Sequence, residues 1–362
     1  MLKKILVIPL GVVVLAFALW ALELAYPEQL SLPFFIGFAL LLLFPVPLLP
    51  AAALLPPSKT RTFVHRLGEA VLGPYLYFLI LLVFDALLCT IGHFSGAFHL
   101  PFPLLAAVTV VLWLLILLAG ALKARRIKTV HHRVVLSEKQ GKTVRAVLIS
   151  DLHLGYFSSR AFISRMVEKI NAATPQYLLI AGDLFDSDLS ELGESKQALQ
   201  LLQKINAPGG SYLCMGNHDL YAAVSPDFRK FLHDAGLRML HDEGVSLGEF
   251  HLIGRSDVRE KERADIGELL KSDSDAPKIV LCHNPKEGEK LVDAGADLVL
   301  CGHTHNGQTF PGNIASKMKS RYSYGLNRYK NGTVLTTAGV GYWGPPLRIF
   351  TNNEIVILDL YF

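Results

Sequence analysis

Cys301-Gly302-His303-Thr304-His305 is the stretch that decides the reading of this chain, because four other short polar motifs share its chemistry. Outward from it toward the N-terminus lie His283, then Gly216-Asn217-His218-Asp219, then Gly182-Asp183-Leu184-Phe185-Asp186, then Ser150-Asp151-Leu152-His153. Each follows a short apolar run that reads as a strand, over 144–149, 177–181, 212–215, 279–282 and 298–301. Imidazole, carboxylate and amide oxygens are ligands for divalent metals of intermediate hardness. Taken singly, these residues have plainer roles: Asp183 could cap a helix and Asn217 beside Gly216 could make a turn. Their ordered recurrence at five strand ends outweighs those roles, since the carboxyl ends of strands in an open α/β sheet form a crevice where ligands collect.

The order Asp-x-His, Gly-Asp-x-x-Asp, Gly-Asn-His-Asp, His, Gly-His-x-His resembles the calcineurin-like metallophosphoesterases, from Val144 to the end of the chain. That resemblance implies two divalent ions, Mn before Fe, Zn, Ni or Co. One would be held by Asp151, His153 and His305, the other by Asn217, His283 and His303, with Asp183 bridging them. It further implies that His218 lies near the leaving-group oxygen and is oriented by Asp219, and that Asp186 orients ligands from behind them. The Gly339–Arg348 stretch, with Trp343 and Pro345-Pro346, resembles the end segment of the membrane-linked branch of the family. That branch includes YkuE-like phosphoesterases and enzymes that cleave the diphosphate of UDP-diacylglucosamine. Arg348 is a candidate for supporting a ligand or contacting a phosphate.

The front third has a different character. The 362 residues are 51% hydrophobic with a mean hydropathy of +0.36, too apolar for an ordinary soluble enzyme. Runs 5–22, 32–55 and 100–122 carry no charge, and 70–91 carries only Asp85. Segments of about 20 apolar residues are long enough to cross a bilayer as helix. Residues 1–122 are therefore expected to form a transmembrane region of four helices. A cleaved signal peptide would account for the first run alone, which Lys3 and Lys4 precede. Asp85 reads as an interfacial or helix-paired carboxylate rather than a functional site.

Lysine and arginine fall in alternate connections: Lys3 and Lys4, then Lys59, Arg61 and Arg66, then Lys123, Arg125, Arg126, Lys128 and Arg133. Connections 23–31 and 92–99 have none, so both termini are expected on the cytoplasmic side of the cell membrane. Residues 123–142 read as a basic juxtamembrane linker that lies against anionic lipid. Beyond the boundary near Gly141, residues 143–362 alternate strands with amphipathic helices, over 159–172, 195–205, 226–235, 266–271 and 285–294, and end in strands over 333–336 and 354–360. That pattern reads as a layered α/β fold, and the resemblance implies a four-layer α/β/β/α sandwich. Cys89, Cys214, Cys282 and Cys301 form no Cys-x-x-Cys pair and read as buried apolar residues.

The leading expectation is a membrane-anchored dinuclear phosphoesterase that cleaves a phosphoester or diphosphate at the cytoplasmic face. Four spans exceed what a tether needs, which makes a lipid-linked substrate and contact with membrane lipids reasonable; no nucleic acid is expected. Two alternatives stay open: a soluble-nucleotide phosphodiesterase merely tethered to the membrane, and a sensor or scaffold that binds without turnover. The cations and aromatics Lys317, Lys319, Arg321, Tyr322, Tyr324, Arg328 and Tyr329 read equally as a substrate-recognition segment or as a solvated loop.

Overall fold

The computed structural model describes residues 7–27, 48, 51, 54–55, 59–137, 141–187, 189, 195–271 and 275–362. The chain divides into two compact units, Met1–Ala119 and Gly120–Phe362.

The first unit is helical, with α1 (Val7–Ala25), α2 (Lys59–Ser95) and most of α3 (Phe102–Ala124). Among the described residues, α2 and α3 are long and apolar enough to cross a membrane. Of the other two expected spans, the first coincides with the 19-residue α1; most of 32–55 lies outside the described residues. Ala18 and Ala21 on α1 let its backbone approach Leu79, Leu82 and Ala86 of α2 closely, the way small residues pack helices without help from water. Along α3, Leu104, Val111, Leu115 and Leu118 are each more than half exposed, a surface suited to lipid and costly in water. Asp85 is paired, accepting a 2.7 Å hydrogen bond from Thr109 Oγ1. Lys59, Arg61 and Arg66 lie within the first turns of α2 rather than in a loop before it.

The second unit holds two six-stranded sheets. The first takes the order β1-β12-β2-β3-β4-β5, with β1 (Ile127–Val135), β2 (Thr143–Ile149), β3 (Tyr177–Ala181), β4 (Gly210–Cys214), β5 (Leu237–Met239) and β12 (Asn353–Tyr361). The second takes the order β10-β11-β9-β8-β7-β6, with β6 (Glu243–Ser246), β7 (His251–Arg255), β8 (Lys278–Cys282), β9 (Leu298–Cys301), β10 (Gly325–Tyr329) and β11 (Gly332–Thr336). Both are mixed: β2-β3-β4-β5 and β7-β8-β9-β11 run parallel, while β2 pairs antiparallel with β12 and β10 with β11.

Strand periodicity builds the layers. Val147, Ile149, Leu178, Ile180 and Leu213 face an outer core with the helices, while their neighbours Ala146, Leu148, Leu179, Ala181 and Tyr212 face the other sheet. Leu252, Leu281 and Leu300 meet them there, and Ile253, Val280 and Val299 turn to a third cluster outside the second sheet. The parallel strands read as continuous apolar runs because both of their faces are covered. Helices α4 (Arg160–Ala172), α5 (Ser195–Leu202), α6 (Asp219–Ala222) and α7 (Phe228–Asp234) follow strands of the first sheet; α8 (Ile266–Leu269), α9 (Gly288–Asp293) and α10 (Gly312–Lys319) follow strands of the second. In α4 the side chain of Ser159 caps Phe162 N, and Phe162, Ile163, Met166, Val167 and Ile170 form its buried stripe.

Residues 123–142 are not a linker. Nine of them form β1, paired in parallel with β12 from Ile127↔Asn353 to Val135↔Tyr361. Ile127 and Val134 are buried while Lys128, His131 and Arg133 are exposed, so the basic side chains of this edge strand stay in solvent. Arg133 lies 4.0 Å over the Tyr361 ring.

Candidate metal centre

The five motifs leave the carboxyl ends of β2, β3, β4, β8 and β9, which are neighbours within their sheets, and β3 and β4 pack on β8 across the interface. Backbone hydrogen bonds sew the motifs together beyond the strands: Asp151 N to Gly182 O at 3.0 Å, His153 N to Asp183 O at 3.1 Å, and Gly302 N to His283 O at 3.0 Å. Ligand carboxylates bind across these turns too. Asp183 Oδ1 accepts from His218 N at 2.7 Å, and both oxygens of Asp151 accept from His303 N at 3.1 Å.

Five proposed ligands occupy the left-handed backbone region: Asp151 (φ 53°), His153 (φ 48°), Asp183 (φ 52°), His303 (φ 72°) and His305 (φ 49°). Each such residue costs on the order of 1–3 kcal/mol, held here by the surrounding ladders. Close packing also demands glycine at two places. A Cβ on Gly216 would fall on Asp183 Oδ1, and one on Gly302 would fall within 2.6 Å of the Ser150 side chain.

Among the described residues three donor groups result: two correspond to the expected ion sites, and the third joins His153 to Asp186 and His218. In the first, His305 Nε2 lies 3.1 Å from His153 Nε2 and 3.4 Å from Asp151 Oδ1. In the second, His283 Nε2 lies 3.0 Å from Asp183 Oδ2 and 3.2 Å from His303 Nδ1. Asp183 Oδ2 is also 3.9 Å from His153 Nε2, which places this carboxylate between the two. In these two sites all but His303 are buried.

The chemistry of the donors fits divalent cations. His283 Nδ1 bonds the Ala181 carbonyl at 2.8 Å, so in the neutral ring its Nε2 turns a lone pair toward Asp183 and His303. Asn217 Oδ1 is buried without a hydrogen-bond partner among the described residues, a costly state unless a cation accepts its lone pair. Burial opposes charge on His283, yet the Asp183 carboxylate outweighs it and raises the ring to about 10. Burial, with the neighbouring His283, lowers His303 to about 4.

Around the ligands, the structure revises several expected roles. Asp186 Oδ1 stands 3.2 Å from His153 Nδ1, behind that ligand. Asp219 does not reach the His218 ring: its oxygens accept from Phe185 N and Gly216 N, both at 2.9 Å. His218 Nδ1 instead bonds the backbone carbonyl of Asp186 at 2.7 Å. Asp219 therefore locks the β3 and β4 turns to each other, and burial together with Asp183 raises its carboxyl to about 7.

Arg348 is fully buried and cannot meet a phosphate. Nε bonds Asn353 at 2.6 Å, Nη1 bonds the His305 carbonyl at 2.8 Å, and Nη2 bonds the carbonyls of Ala338 at 2.9 Å and Gly341 at 2.5 Å. Tyr322 is buried with its hydroxyl on Glu289, so its ring is not free to stack on a substrate, and the half-buried Tyr324 commits its hydroxyl to Glu354. Ser150, which hydrogen-bonds Asp151, escaped the sequence reading although its place beside a ligand was the available signal.

Residues 144–307 match the calcineurin-like phosphoesterase family. An uncharacterized metallophosphoesterase of Helicobacter pylori is 34% identical over 230 residues, 62% of this chain and 61% of that one. A transmembrane protein with metallophosphoesterase domain from Danio rerio is 32% identical, over 60% of this chain and 53% of its own. The phosphodiesterase YaeI of Escherichia coli is 27% identical, over 64% and 87% respectively. The match thus spans less than two thirds of the first two relatives' lengths.

Proposed function

We propose that the chain, whose residues 144–307 match the calcineurin-like phosphoesterase family, is a membrane-anchored, dinuclear metal-dependent hydrolase of a phosphoester or diphosphate, working at the cytoplasmic face. The observation that carries this reading is the pair of donor clusters sharing Asp183, with His218 beside them. Asp151, His153 and His305 would hold one ion and Asn217, His283 and His303 the other, Mn ahead of Fe, Zn, Ni or Co. Such a pair supplies charge neutralisation for a phosphoryl group and activation of water.

The chain's own residues set the geometry. Asp183 fixes the spacing of the clusters, and Asp186 aligns His153. The carbonyl of Asp186 holds the Nδ1–H of His218, which leaves Nε2 as the nitrogen that gives a proton to the leaving oxygen, the role of a general acid. Four membrane spans, counting α1 and the run at 32–55, would exceed what a tether needs and favour a lipid-linked ester. The name of the Escherichia coli relative supports a second reading, a phosphodiester substrate.

A screen of phosphate release and phosphodiester cleavage by the detergent-purified protein with each metal tests the proposal. Asp183→Ala should abolish turnover and lose bound metal; full activity in a metal-depleted Asp183→Ala protein would overturn the dinuclear mechanism.

A further inference from the structure

Next to the metal centre, five large apolar side chains stand in solvent on two loops. Met318 is 83% exposed, Phe350 74%, Ile314 49%, Trp343 45% and Phe310 36%. Scattered singly they would need no explanation, but grouped residues do. The segments of Phe310, Trp343 and Phe350 are tied together. Phe310 N bonds Ile349 O at 3.1 Å, the Gln308 amide clasps both the N–H and the carbonyl of Trp343 at 2.9 and 2.8 Å, and the rings of Phe310 and Phe350 meet edge to face at 5.7 Å. Ile314 and Met318 share one face of α10, a helix that buries none of its residues. The patch borders the site, since α10 follows His305 by seven residues and Arg348 holds the His305 carbonyl.

Charge and continuity identify what covers it. Lys317 and Lys319 close α10, and neither 308–321 nor 341–350 contains an aspartate or glutamate. The same loop is anchored to the final turn of α3: Arg348 N bonds Gly120 O at 3.1 Å, Asn353 Nδ2 bonds Ala124 O at 2.5 Å, and Gly120 has no side chain where a Cβ would meet Leu347 and Ile349. Aromatic and aliphatic groups mixed with lysines suit the headgroup layer of an anionic bilayer, where the rings and chains sink in and the ammonium groups meet lipid phosphate.

We propose that the 308–319 and 343–350 segments form a surface that lies in the headgroup layer of an anionic membrane. The proposal rests on the membrane character of α2 and α3, not on which ester is cleaved.

The four native cysteines are all buried, so a spin label can be placed selectively at Met318→Cys in the full chain, with Lys271→Cys, exposed just beyond α8, as control. In vesicles of mixed zwitterionic and anionic lipid, collisions with oxygen should exceed those with an aqueous nickel chelate at Met318→Cys and fall below them at Lys271→Cys. Adding Lys317→Glu and Lys319→Glu should return the Met318→Cys label to the aqueous pattern. Water-like accessibility at both positions overturns the proposal, as does a label at Met318→Cys shielded from both agents, which would mean a protein partner. A protein that binds lipid this way yet cleaves no ester would remove the proposed activity and leave this surface standing.

Discussion

Backbone strain and ligand chemistry coincide residue by residue in this site. Asp151, His153, Asp183, His303 and His305 each adopt a conformation that side chains disfavour, and each is held there by bonds from a neighbouring turn, so the fold itself aims the proposed donors. His218 differs, being a ligand's neighbour with a conventional backbone (φ −81°) and a ring edge-on to His153 at 4.8 Å. His218→Ala should therefore keep both metals while turnover falls about 100-fold or more, the scale of lost general-acid assistance. With a nitrophenolate leaving group, which needs little protonation, the loss should shrink. Equal losses for good and poor leaving groups, with metal retained, would assign the ring to positioning instead.

At the scale of elements, the strands that carry ligands were legible because they are buried on both faces and end in polar motifs; β2, β3, β4, β8 and β9 all lie where apolar runs placed them. Five strands escaped. β1 mixes basic and apolar residues and looks like a charged tether, β5 has three residues, β6 and β10 lie at sheet edges and bury few side chains, and β7, though buried, is a five-residue run with a histidine and an arginine at its ends and Gly254 within it. The partner of His218 was hidden for another reason: a backbone carbonyl leaves no mark in sequence, whereas Asp219 does. Another long-range tie shows the same thing. Asp242 Oδ1 accepts from Arg255 Nη1 at 2.7 Å and Ser256 N at 3.0 Å, and Oδ2 accepts from Ala264 N at 2.9 Å, pinning the end of β7. Burial opposes ionisation, but these donors outweigh it and lower its carboxyl. A lowered carboxyl stabilises the fold above the unfolded value, about pH 4, and loses that contribution as pH falls through its folded value. Asp242→Asn should thus cost about 1–3 kcal/mol at neutral pH, with the difference from wild type shrinking below about pH 4. Urea titrations of the solubilised protein at both pH values measure it; a difference independent of pH would assign the cost to packing.

For the whole molecule, the proposed function turns on which side of a membrane residues 143–362 would occupy. Arginine and lysine still alternate between connections, but the structure changes what they mean. Lys128 and Arg133 belong to β1 of the catalytic unit, and Lys59, Arg61 and Arg66 belong to α2 itself. That leaves Lys123, Arg125 and Arg126 at the end of α3 as the charges nearest the point where the chain leaves the bilayer. Three basic residues against none in 92–99 is still a bias toward cytoplasmic placement of the α3 end. A reporter fused after Gly141 should therefore report the cytoplasm, and one placed within 92–99 should report the outside. Replacing Lys123, Arg125 and Arg126 with glutamine should weaken that orientation without touching the metal centre, giving a mixed signal from the first fusion. An external signal from the unmodified Gly141 fusion would place the catalytic unit outside the cell and direct the search for substrate to esters found there.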